Sequence, residues 1–170
     1  MKYVEAPNNV NNEVGVPSLF LGGGITNCKD WQSKLVDVLK NYEVTIYNPR
    51  RSNFDINKVE DSKIQIKWEH KYLHSANILV FYFAQETVCP ITLFELGAAL
   101  ERNTYSEVVQ DIIVYCEPEY SRKFDVKIQI ELARKNARGY RKNYFVKYYD
   151  DYDDFVSEIK ETVDLAPIYL

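Results

Sequence analysis

Glu95 is the residue whose type and surroundings most clearly suggest chemistry. Ile78-Leu79-Val80-Phe81-Tyr82-Phe83 is an unbroken apolar run of strand length and reads as a buried central strand. Cys89-Pro90-Ile91-Thr92-Leu93-Phe94-Glu95-Leu96-Gly97 follows it. Pro90 suits the first turn of a helix, where its missing N–H costs nothing. Leu93, Phe94, Gly97, Ala98 and Leu100 continue that helix as an expected packed face. Glu95 therefore stands in the opening turns of a helix that begins just past the carboxyl end of a strand. In an open α/β sheet that edge is where ligands bind. The positive end of the helix dipole favours the carboxylate, so Glu95 is expected to stay ionised and nucleophilic. The plain alternative is a solvated helix glutamate.

Other groups could share that edge. Gly22-Gly23-Gly24 follows the short apolar run Ser18 to Leu21 and reads as a turn that exposes backbone N–H groups to a ligand. It lacks both the spacing of a dinucleotide fingerprint and the lysine of a phosphate loop. Trp68-Glu69-His70 lies in a helical stretch, with Glu69 one turn before Tyr72 and Leu73. A second carboxylate beside Glu95 would suit proton handling or orientation of a hydroxyl. His70 has no evident serine or cysteine partner. Asn48, Arg50 and Arg51 follow a second strand, where they could meet a phosphate or a base edge. The run Asp150-Asp151 and Asp153-Asp154 reads as a solvated face and a helix cap, with Asp153 or Asp154 as cap and no metal bound.

The elements that must position these residues can be read in chain order. Residues 1–16 have loop composition, with a short edge strand at Lys2 to Glu5, and form an N-terminal extension to one domain spanning 1–170. A helix follows the glycines, capped by Asp30 and carrying Trp31, Leu35, Val36 and Leu39. Glu43 to Tyr47 alternates as the second strand. Arg50 to Asn57 reads as a loop over the site. From Val59 to Ser75 the pattern is helical, with Ile64, Trp68 and Tyr72 on one stripe. After the central strand and the Glu95 helix come a strand at Asp111 to Cys116, a helix through Val126 and Ile130, and a fifth strand at Tyr144 to Tyr149. The last helix carries Phe155, Val156, Ile159 and Val163. Alternating strands and helices imply a three-layer α/β/α arrangement around a five-stranded, mostly parallel sheet. A flavodoxin-like order of 2-1-3-4-5 would set the glycines and Glu95 on one crevice.

Composition narrows the function classes. A chain of 170 residues with net charge −4 suits a single core and argues against a nucleic-acid polymer as partner, since phosphate contacts need a basic face. Fourteen Tyr and eight Phe form a heavy aromatic load that points to an oligomer interface or a base-stacking pocket. Cys28, Cys89 and Cys116 are odd in number and unclustered, which suggests neither a disulfide framework nor a zinc site. The start of the sequence lacks an apolar leader and no run reaches spanning length. A reducing cytoplasm without membrane contact is the simplest expectation.

Phe20-Leu21-Gly22-Gly23-Gly24-Ile25-Thr26 with Trp31, Asn48-Pro49-Arg50, Trp68-Glu69-His70 through Leu73 and Ala76, and Pro90 to Gly97 together resemble the nucleoside 2-deoxyribosyltransferase superfamily. That group includes the deoxynucleoside 5′-monophosphate N-glycosidases, and the likeness is strongest to its compact phage and bacterial proteins. The resemblance implies a flavodoxin-like fold, a homo-oligomer and cofactor-independent cleavage of a deoxyribose-to-base bond. Glu95 matches the nucleophile, and Glu69 falls where the family carries a carboxylate, usually Asp. Gly22, Gly23, Gly24, Ile25, Thr26, Trp31, Asn48, Arg50, Trp68 and Asn77 are expected to line the nucleoside pocket. Many relatives carry Asp at the position of Asn77, and Pro90-Ile91-Thr92 replaces a pair of small residues before the glutamate. The first departure favours the alternative reading, a non-catalytic nucleotide-binding module. An unrelated flavin-binding domain is the third, disfavoured by the missing phosphate loop.

Overall fold

Alternate residues of the central strands are apolar on both faces, so the sheet must be covered on both sides. The computed structural model describes residues 1–11, 13–52, 58–105, 109–137 and 146–166. Its elements run β1 (Lys2–Glu5), β2 (Ser18–Gly23), α1 (Trp31–Val38), β3 (Thr45–Asn48), α2 (Val59–Ser75), β4 (Ile78–Phe83), α3 (Pro90–Tyr105), β5 (Asp111–Cys116), α4 (Lys123–Asn136), β6 (Val146–Tyr149) and α5 (Tyr152–Leu165). The strands form one sheet of order β1-β3-β2-β4-β5-β6, and every pairing is parallel. The expected flavodoxin-like order is present as β3-β2-β4-β5-β6. A sixth strand extends it: β1 pairs with β3 from Lys2↔Thr45 to Glu5↔Asn48.

Leu79, Phe81 and Phe83 of β4 join one buried cluster with Trp68, Tyr72, Leu96 and Val126, so α2, α3 and α4 share that face. Ile78, Val80 and Tyr82 point the other way, onto Trp31, Leu35, Phe155 and Ile159 of α1 and α5. The chain after β1 is tied to α2: the Trp68 indole N–H donates to the Asn8 carbonyl at 2.6 Å, and the Val10 N–H to the Tyr72 hydroxyl at 3.0 Å. Asp30 caps α1 as expected, its carboxylate accepting from the Ser33 N–H.

Several local expectations differ from what is observed. Gly22 and Gly23 belong to β2 and only Gly24 lies beyond it. Asp151 caps α5, accepting from the N–H groups of Asp153 and Asp154, which stand inside the first turn instead. On α2, Gln65 occupies the buried stripe while Ile64 is exposed. On α3, Thr92, Leu96, Ala99 and Leu100 are buried, and Phe94, Gly97 and Ala98 face outward. The second strand ends at Asn48 and excludes Glu43. Tyr144 and Phe145 of the fifth strand, and residues 53–57 of the loop over the site, lie outside the described residues. Among the described residues no helix is long and apolar enough to cross a membrane.

Candidate active site

The carboxyl ends of β2 and β4 open into a cavity of about 500 Å³. α2 presents one stripe to it, Ser62, Gln65, Ile66 and Glu69, at the i, i+3, i+4, i+7 spacing of a helix face. α3 presents its first turn and, one turn later, Glu95. The chain enters α3 through Cys89, whose φ of +49° lies in the left-handed region that costs a non-glycine residue energy. That turn aims the helix start at the cavity. The wall from β2 is Gly22, Gly23, Gly24, Ile25 and Thr26, so all five expected positions line the same space as both glutamates.

Gly22 and Gly23 are small because side chains from neighbouring elements occupy their space. A Cβ on Gly22 would lie 2.9 Å from the Phe81 ring. On Gly23 it would lie 2.5 Å from the Trp31 ring and 2.6 Å from the Tyr82 carbonyl oxygen. Backbone cannot yield as a flexible side chain can, so Gly23→Ala is expected to destabilise the fold by about 2–3 kcal/mol. Gly97→Ala is the control: nothing lies within 4 Å of its added Cβ, and it stands in a helix. It should be neutral or stabilising by about 0.5–1 kcal/mol. Urea unfolding of the two variants beside the parent checks both.

The remaining expected site residues serve other purposes. Trp31 is buried beneath the glycines, stacked on Tyr82 with centroids 4.6 Å apart and donating to the Gly24 carbonyl at 3.1 Å. It supports the wall without lining the cavity. Asn48 is buried, donating to the Tyr3 hydroxyl at 2.9 Å and accepting from the Arg50 N–H at 2.9 Å. Arg50 donates to Gln32 at 2.9 Å and to the Lys29 carbonyl at 3.1 Å, pinning the loop before α1; Arg51 lines the cavity in its place. Trp68 packs in the core among Phe20, Tyr47 and Tyr72.

Asn77 is at the opposite end of the sheet. It precedes β4, and its side-chain oxygen accepts from the Ser18 N–H at 2.8 Å and the Ser18 hydroxyl at 2.7 Å. In a parallel sheet the residue before a strand is at the amino edge, away from a site at the carboxyl edge. The departure at Asn77 therefore has no bearing on the cavity, and the binding-only alternative loses the feature that favoured it.

Glu95 and Glu69 define the electrostatics. Burial, and then the neighbouring Glu69 carboxylate, push the Glu95 carboxyl up to about 8. Burial also raises Glu69, opposed by the Gln65 amide, which donates to Glu69 Oε1 at 2.8 Å. The expectation of a permanently ionised Glu95 is thereby corrected. The helix dipole acts mainly within the first turn, and Glu95 is past it, where loss of water decides. Two coupled acids with raised and different affinities hold a proton at neutral pH and can exchange roles as nucleophile and acid.

Gln65, Ser62, Thr87 and Thr92 also line the cavity and were not singled out for it, whereas Arg51, read beside Arg50 as a phosphate or base-edge contact, does line it. For the α2 residues the available signal was their shared spacing with Glu69. Behind the site, buried Glu117 accepts from the Gln85 N–H at 3.0 Å, from the Tyr82 hydroxyl and from Lys29. Burial works to raise Glu117, yet these donors outweigh it and hold the carboxyl below its ordinary value. The network fixes the turn that leads from β4 into α3. Among the described residues no three His, Cys, Asp or Glu side chains are grouped to hold a metal ion.

A flavodoxin-like parallel sheet with a glycine-walled cavity and two apposed carboxyls at its carboxyl edge is the class that the structure defines. Residues 16–120 match the model of the family described as nucleoside 2-deoxyribosyltransferase like, and the chain belongs to that family. Among curated proteins none matches it. Among solved structures, oxidised flavodoxin 1 from Bacillus cereus is similar at 10% identity and a TM-score of 0.39, covering 87% of this chain and 95% of its own.

Proposed function

We propose that this protein cleaves the N-glycosidic bond of a 2′-deoxynucleoside or its 5′-monophosphate through a covalent deoxyribosyl-enzyme. The observation that carries the reading is the placement of Glu69 and Glu95 in one cavity, walled on another side by the glycines at the end of β2. Family membership supports a nucleoside as the small-molecule substrate. The ionised Glu95 attacks the anomeric carbon as the bond to the base breaks and its electron pair passes to the base nitrogen. Glu69 gives the departing base a proton. A nitrogen of a second base, or water, then attacks the same carbon and releases Glu95. Whichever attacks, the Glu69 carboxylate takes the proton that the attacking nitrogen or oxygen gives up. Splitting one displacement into two through a carboxylate nucleophile is the logic of retaining glycosidases, and it needs no cofactor.

Phe20, Ile25, Ile66 and Ile91 give the cavity apolar walls suited to the faces of a base. A cytoplasmic homo-oligomer is part of the reading. α3 leaves Ile91 at 65% and Phe94 at 75% exposure beside the cavity mouth, apolar surface that a second copy would bury. Sedimentation velocity of the parent and Phe94→Glu tests this, with a shift of the variant toward monomer expected.

The activity is tested by chromatographic base release from 2′-deoxynucleosides and their 5′-monophosphates, with and without a second free base. Exchange that requires the added base identifies a transferase, and release into water alone identifies an N-glycosidase. No release from any substrate, with Glu95→Gln behaving as the parent does, would overturn the proposal.

A further inference from the structure

Gln65 is 7% exposed and sits on the cavity stripe of α2, one turn before Glu69. Its Nε2 donates to the Pro49 carbonyl at 2.8 Å and to Glu69 Oε1 at 2.8 Å. The amide has two protons, and both are used. Turning it over would set its oxygen against the Pro49 carbonyl oxygen, which accepts in every protonation state, so the network fixes the orientation. Oε1 is left buried with no hydrogen-bond donor among the described residues. A buried acceptor without a donor is rare and costly, and its natural complement is a donor brought by whatever fills the cavity.

We propose that Gln65 is a specificity-determining residue, whose Oε1 accepts a hydrogen bond from an N–H of the base or the 3′ O–H of the sugar when a nucleoside occupies the cavity. This rests on the nucleoside reading of the site. With both of its protons committed, the amide presents an acceptor only. It therefore selects ligands that carry a donor at that point and disfavours those that offer a second acceptor or a C–H. The same amide holds Glu69, so one side chain ties recognition to the acid.

Matched substrate pairs test the inference in the parent and in Gln65→Met, which keeps the length and removes the acceptor. Two pairs differ in the base, 2′-deoxyadenosine against the analogue with hydrogen in place of the 6-amino group, and thymidine against N3-methylthymidine. A third differs in the sugar, 2′-deoxyadenosine against its 2′,3′-dideoxy analogue. The parent should favour the donor-bearing member of one pair by about tenfold to a hundredfold in kcat/KM. Gln65→Met should collapse that ratio to within about threefold and leave the other ratios in place. Collapse of the base ratio assigns the donor to the base, and collapse of the sugar ratio to the 3′ hydroxyl.

A role only in holding Glu69 would lower every rate alike and leave all ratios standing, which would overturn the proposal. If Gln65→Met does not fold, Gln65→Leu, which also lacks the acceptor, should collapse the same ratio. Should the parent release no base at all, the glycosidase reading fails while the inference is still decided by calorimetry. The same pairs should then show the same ratios in Kd, and equal affinities or no binding would overturn it.

Discussion

Glu95→Gln is expected to abolish base release and at the same time to make the protein more stable in alkali. Both follow from one placement. In the folded chain the Glu95 carboxyl titrates at about 8, against 4.5 for its ordinary value, with burial as the first cause and Glu69 as the second. Below the ordinary value both folded and unfolded states hold the proton, and Glu95 costs nothing. As pH rises toward 8 the unfolded chain loses that proton while the folded chain keeps it, so stability falls. Above 8 the loss is complete and constant. Each unit of difference is about 1.4 kcal/mol, so the full cost is on the order of 3–5 kcal/mol. Gln has no proton to lose. Urea unfolding should therefore find the variant and the parent nearly equal at pH 4, and the variant more stable by that amount at pH 9. Turnover, which needs a nucleophile, should fall by on the order of 10⁴-fold or more at every pH. An active Glu95→Gln enzyme, or one that gains no stability in alkali, would contradict the assignment.

Glu69→Gln carries the second large effect, because it removes both an acid and a negative charge. The reaction needs Glu95 ionised and Glu69 protonated, so the parent's kcat/KM should be bell-shaped, rising as the first proton leaves the pair and falling as the last one leaves near pH 8. Without Glu69 the fall should vanish, leaving a single rise as Glu95 ionises below 8, since the neighbouring charge no longer raises it. Burial, the larger cause, remains, so the rise should stay above the ordinary carboxylate range. Loss of the proton donor should lower kcat by about 10²–10⁴-fold for bases that depart only when protonated. A nucleoside analogue whose leaving group needs no proton should recover most of that loss. The full pH profile with both substrates separates the two contributions: a lowered kcat with an unshifted profile would mean that the carboxyls do not feel each other.

The parts of this account that were legible in the sequence are those set by local pattern. The six apolar residues of β4 are buried throughout, and α2 runs from Val59 to Ser75 as its periodicity implies. Glu95, Glu69 and the glycines met at one edge because parallel topology leaves little choice once strand order is known. What was misread depended on contacts between distant elements. The glycines looked like a turn, but two of them are strand residues made necessary by the Phe81 and Trp31 rings. Arg50 looked like a ligand contact, yet Gln32 and the Lys29 carbonyl hold it. Gln65 was passed over although its spacing from Glu69 puts it on the same face of α2, because the partners of its amide are set by Pro49, distant in sequence. Asn77 was different. Its position just before β4 already placed it at the amino edge, so the sequence carried enough to exclude it. The protonation of Glu95 turned on burial, which outweighed the helix dipole.

The most direct test of the central claim is the mass of the protein itself, taken by acid quench during a single turnover of an accepted 2′-deoxynucleoside. A transient increase of one 2-deoxyribosyl unit is expected, mapped by peptide digestion to the segment bearing Glu95 and lacking in Glu95→Gln. An adduct on a peptide without Glu95, or base release by Glu95→Gln at the parent's rate, would contradict it.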